Sequence, residues 1–121
     1  MMDDLDFYRR KIDSLDERII TLLAERFCAV RAVGVLKAGA GMSPVQQNRV
    51  EAVLAHVQDL ARQKGLDPYF VKVLYARMIQ YAHEEEYRIK SAYEASALET
   101  ESHDSPLTLK NSVPHARSAE C

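Results

Sequence analysis

The sequence predicts an all-α domain of three helices, the first unusually long, assembled as a homodimer. Three observations carry this. Only four Gly and four Pro occur in 121 residues, which leaves little turn chemistry for a sheet. From Leu5 onward apolar residues fall at Leu5, Tyr8, Ile12, Leu15, Ile19 and Leu22, in alternating steps of three and four, the signature of a heptad seam. Ser43-Pro44 and Asp67-Pro68 each place a capping residue before a proline, marking two further helix starts.

Between Asp3 and Lys37 the one residue that disfavours a helix is Gly34, at about 1 kcal/mol against Ala. A helix of that reach spans about 50 Å, more than a three-helix monomer of this size can cover, so its seam requires a second copy. Gly39-Ala40-Gly41 ends the first helix. Ser43-Pro44-Val45-Gln46 reads as a capping box with Ser43 at N-cap, Pro44 at N1 and Gln46 at N3. The second helix carries Val50, Val53, Leu54, Val57, Leu60 and Ala61 on its buried stripe and stops at Gly65. The third starts after Asp67, follows Val71, Leu74, Tyr75, Met78, Ile79 and Ala82, and fades after Tyr93. Residues 1–97 form the expected domain. From Leu98 to Cys121, Ser, Thr, Pro, His and Glu dominate without periodicity, which predicts a disordered tail.

Hydrophobic residues at 47% and charged ones at 28% are ordinary for a soluble globular chain, and a net charge of −2 gives no basic field to recruit nucleic acid. An acidic start, Met1-Met2-Asp3-Asp4, and no apolar run of membrane-spanning length predict a cytoplasmic protein that makes no membrane contact. The two cysteines do not suggest a disulfide framework.

The chemistry lies in charged residues on apolar stripes. Arg26 occupies the next heptad position after Leu22, and Lys37, eleven residues on, projects from nearly the same face. Arg49 lies beside the stripe of the second helix. Each basic residue alone could snorkel to water. Together, turned toward a core with few acids nearby, they ask for an anionic ligand. Arg9 is seventeen residues from Arg26, about 25 Å along one helix, so it can join them only from an antiparallel partner chain. Glu86 continues the third helix's stripe after Ile79 and Ala82; a carboxyl there can donate a hydrogen bond as a neutral acid or pair with one of the arginines. Arg10, Lys11, Arg18, Arg31, Glu84 and Glu85 read as solvated. His56, His83, His103 and His115 lack metal-ligand spacing, so no metal is expected, and no phosphate loop, catalytic triad or reactive-cysteine context appears.

These residues, read in order, resemble the all-helical chorismate mutase family. The resemblance is carried by Arg9 to Asp16 (RRKIDSLD), Leu22 to Arg26 (LLAER), Val33 to Lys37 (VGVLK), Arg49-Val50-Glu51, Gly65 to Phe70 (GLDPYF) and the Leu74 to Glu86 segment, about residues 5–93. Each string is weak alone; the ordered set is specific. The family also includes isochorismate-pyruvate lyases and 4-amino-4-deoxychorismate mutases.

What the resemblance implies is an intertwined homodimer with two equivalent sites, no cofactor, and Arg9 donated across the dimer. Arg26 matches an arginine that clamps a substrate carboxylate, Lys37 the lysine that reaches the ether oxygen and a carboxylate, and Arg49 the arginine at the start of helix 2. Glu86 matches the Gln or Glu that hydrogen-bonds the same ether oxygen. Three positions depart from the pattern. The acid that often follows the helix 2 arginine is Val50, the acid three before it is Gln46, and a helix 3 serine is Ala82. The implied activity is chorismate mutase, in the shikimate pathway to aromatic amino acids, with the lyase and the aminodeoxychorismate mutase as alternatives on the same scaffold. Outside catalysis the alternative is a helical dimer that binds an aromatic dicarboxylate without turning it over.

Overall fold

A computed structural model describes the backbone of residues 2–103 and the side chains of residues 3–98. The described chain is three helices, α1 (Met2–Gly39), α2 (Gln47–Lys64) and α3 (Pro68–His103), with no strand among the described residues.

α1 carries Asp3 and Asp4 in its first turn and Lys37 in its last, signs that complement the helix dipole. It ends in a Schellman motif: the Met42 N–H donates to the Lys37 carbonyl at 2.8 Å and the Gly41 N–H to Ala38 at 3.2 Å. Gly41 supplies the left-handed residue that this geometry needs, with φ +69°. α2 closes the same way. Gly65 sits at φ +78°, and the Leu66 N–H donates to the Ala61 carbonyl at 2.8 Å. α3 opens as Asp67-Pro68 predicts, the Tyr69 N–H donating to Asp67 Oδ1 at 2.9 Å.

Two boundaries differ from expectation. Ser43 is not the N-cap of α2, which starts at Gln47 after Gln46, and Gln46 Nε2 donates back to the Ser43 carbonyl at 2.9 Å. The reason is tertiary. Pro44 is fully buried and its carbonyl accepts a hydrogen bond from Lys37 Nζ at 2.6 Å, which holds the loop against α1 instead of in a first helical turn. α3 runs past Tyr93, and past the boundary at residue 97, to His103. The apolar stripe ends there but the helix does not, because Ala92, Glu94, Ala95, Ala97 and Leu98 are good helix formers and no Gly or Pro intervenes. The remainder of the expected tail, residues 104–121, lies outside the described residues.

α1 and α2 both pack on α3 and do not closely approach each other. The α2/α3 side holds a small core of Val57, Ala61 and Val71 with Val53 and Tyr75 against it. On the α1/α3 side Phe27 and Tyr81 meet edge-to-face with centroids 5.0 Å apart, and Arg31 pairs with Glu85 at 3.7 Å. The N-terminal half of α1 extends beyond this packing. Its whole seam is exposed, with Ile12 at 55%, Ile19 at 53% and Leu22 at 61%. Leu66, Tyr69, Phe70 and Val73 are also exposed where α3 begins.

Candidate active site

The gap between α1 and α2, floored by α3, is a cavity of about 270 Å³. α1 lines it with Arg26, Val30, Val33 and Lys37, and the loop with Pro44 and Gln46. α2 contributes Arg49, Val50 and Val53, and α3 Ile79, Ala82, His83 and Glu86. Every candidate named from the sequence except Arg9 is on its wall. Seventeen residues of helix separate Arg9 from Arg26, which puts it about 25 Å further along a straight α1.

At the end of the cavity Lys37 Nζ donates to Glu86 Oε1 at 2.9 Å as well as to the Pro44 carbonyl. The Glu86 side chain is 7% exposed and that of Lys37 17%. A buried charge is costly unless paired, and here the ammonium and the carboxylate satisfy each other. Glu86 thus takes the paired alternative, with a lysine instead of an arginine, because Lys37 occupies the facing turn of α1. Ala82, one turn earlier on α3, is buried and leaves room over the floor.

Arg26 is half-buried, its guanidinium carbon 5.4 Å from the centroid of the Tyr75 ring, a cation–π contact that orients it. Arg49 projects from the first turn of α2 and is exposed, at the rim. The wall therefore carries three basic side chains, Arg26, Lys37 and Arg49, against one acidic one, Glu86. The remaining wall is largely aliphatic. Such a site accepts a compact anion with an apolar body and two negative groups.

His83 also lines this cavity, a place that the absence of metal-ligand spacing among the histidines does not reveal. The signal was available: His83 lies one residue after Ala82 and three before Glu86, on the same face of α3. Among the described residues no cluster of metal-ligating side chains occurs, and no helix is long and apolar enough to cross a membrane.

A wider apolar groove, about 610 Å³, runs along Ile19, Leu22, Leu23, Phe27, Leu74, Tyr75, Met78 and Tyr81. It is larger than the charged cavity and mostly apolar, with Arg26 and Arg77 its charged wall residues. Arg26 borders both.

A family model described as chorismate mutase type II matches residues 8–87, a span that starts just before Arg9 and ends just after Glu86. No curated protein matches the chain.

Proposed function

The chain belongs to the chorismate mutase type II family, and from that premise we propose that it rearranges chorismate to prephenate in a pocket completed by a second copy of the chain. The observation that carries the reading is the Lys37–Glu86 pair at 2.9 Å inside a cavity that also holds Arg26 and Arg49.

Chorismate offers two carboxylates and an enolpyruvyl ether. Arg26 and Arg49 provide planar forks for the carboxylates, Lys37 is a donor toward the ether oxygen, and Glu86 becomes a second donor there only in the form that carries a proton, since the carboxylate paired with Lys37 can only accept. In the rearrangement the bond from the ring to that oxygen breaks as the enolpyruvyl methylene carbon bonds to the ring carbon bearing the carboxylate. No atom is gained or lost, so no nucleophile or external base is required. The protein's contribution is to hold the compact conformer and to aim donors at the oxygen as negative charge builds there. Removing one such donor typically costs ~10²–10³ in rate.

The exposed α1 seam and the apolar groove support a dimer in which the partner's α1 lies antiparallel and brings its Arg9 to the mouth of the cavity. A second reading, lysis of isochorismate to pyruvate and an aromatic acid, is favoured by one feature. Val50 and Ala82 present hydrocarbon where the family often presents an acid and a serine to the ring substituent. Incubating the protein separately with chorismate, isochorismate and 4-amino-4-deoxychorismate and identifying products by NMR decides between them. Prephenate from chorismate is the expected result. Pyruvate release from isochorismate with inert chorismate establishes the second reading, and binding without turnover of any of the three overturns both.

A further inference from the structure

Gly34 lies within α1 at an ordinary helical φ, so no backbone requirement explains a glycine there. Alanine would favour the helix. The space around Gly34 gives a different reason. It is buried one turn before Lys37, and a Cβ built on it would stand 3.2 Å from Glu86 Cγ, 3.5 Å from Glu86 Cα and 3.1 Å from Ile89 Cδ1. Two of the three nearest atoms belong to the residue that pairs with Lys37.

From this we infer that Gly34 is a positioning residue for Glu86. Its missing side chain lets α3 approach α1 closely enough for the Glu86 carboxylate to meet Lys37 Nζ at 2.9 Å. A methyl group at position 34 has to displace Glu86 Cγ and Ile89 Cδ1 by a few tenths of an ångström. The Ile89 tip can rotate away. Glu86 Cγ is held between its own backbone and the Lys37 contact, so the carboxylate moves with it. The inference rests on the reading of Glu86 as a donor to the ether oxygen, where small misplacements act on kcat more than on substrate affinity, since the carboxylate clamps, Arg26 and Arg49, are on other turns.

The test uses Gly34→Ala, Ile89→Val and the double variant in the full chain, with two readouts. With the preferred substrate, Gly34→Ala is expected to lower kcat about tenfold while KM moves less than about twofold. Ile89→Val removes the Cδ1 contact but not the Glu86 one, so the double variant stays slow. Independently of any substrate, the side-chain carboxylate carbon resonance of Glu86 and the ammonium resonance of Lys37 are expected to shift in Gly34→Ala and to stay shifted in the double variant. A wild-type kcat, recovery of the rate by Ile89→Val, or unmoved Glu86 and Lys37 resonances overturns the assignment. If the wild type turns over none of the three substrates, the functional reading fails while the resonances still decide for or against Gly34. Should Gly34→Ala not fold, the double variant carries both readouts, and failure of both to fold makes Gly34 a packing residue only.

Discussion

Lys37 and Glu86 each depend on the other for burial, and this sets what their substitution does. Lys37→Met leaves a carboxylate that is 7% exposed without its cation. Breaking a buried pair from one side costs about 3–5 kcal/mol. Urea denaturation is expected to show a loss of that order, and the Lys37→Met/Glu86→Leu double variant to recover most of it, because no buried charge remains. A double variant no more stable than the single would mean that the pair is solvated in solution. Glu86→Gln separates stability from chemistry. It keeps a donor at the same place, but one that does not titrate. If Glu86 donates to the ether oxygen as an acid, wild-type kcat/KM falls as pH rises and the proton is lost, and the Gln variant lacks this alkaline fall. A Gln variant with the wild-type pH profile would remove Glu86 from the donor role.

At the scale of elements, the site depends on where helices stop. The Schellman turn at Gly41 sends the chain into the loop that buries Pro44, and Lys37 anchors that loop through the Pro44 carbonyl. The turn at Gly65 sets how α2 meets α3, and with it the distance from Arg49 to Glu86. A Cβ at Gly65 would touch nothing within 4 Å, so the whole cost of replacing it is backbone strain at φ +78°. Gly65→Ala is expected to lose about 1–2 kcal/mol, and Gly65→Asn less, since Asn tolerates the left-handed region better. Thermal melts of the two variants check both the size and the order. Equal losses would point to a steric cause instead.

At the scale of the whole molecule, the seam from Leu5 to Leu22 leaves six large side chains exposed in a single chain. Each gains about 1–2 kcal/mol when buried from its half-exposed state, enough in sum to drive association. Ile12→Glu/Ile19→Glu should therefore turn a dimer into a monomer by sedimentation and abolish turnover at the same time. Arg9→Ala and Arg26→Ala should each be nearly inactive. Hybrids formed by refolding an equal mixture should recover about a quarter of wild-type activity, because half the dimers are hybrid and one of their two sites is intact. Well-folded hybrids with no activity would exclude a site shared in this way.

Much of this was legible in one dimension because helices impose a fixed period. The alternation of three and four from Leu5 to Leu22, Asp67 before Pro68 and the stops at Gly41 and Gly65 follow from local sterics and hydrogen bonding, which the neighbouring residues settle among themselves. The same periodicity placed Arg26, Lys37, Ala82 and Glu86 on inward faces and put Arg9 beyond reach of the others. The identity of contacts between helices has no such period. That Glu86 meets Lys37 and not an arginine, that Pro44 gives its carbonyl to Lys37 and so delays α2 to Gln47, and that Gly34 matters for the space it leaves were decided only when α1 and α3 packed. Those outcomes depend on the crossing of two helices some fifty residues apart in the chain, where distances of a few tenths of an ångström select the partner and no local preference reports them.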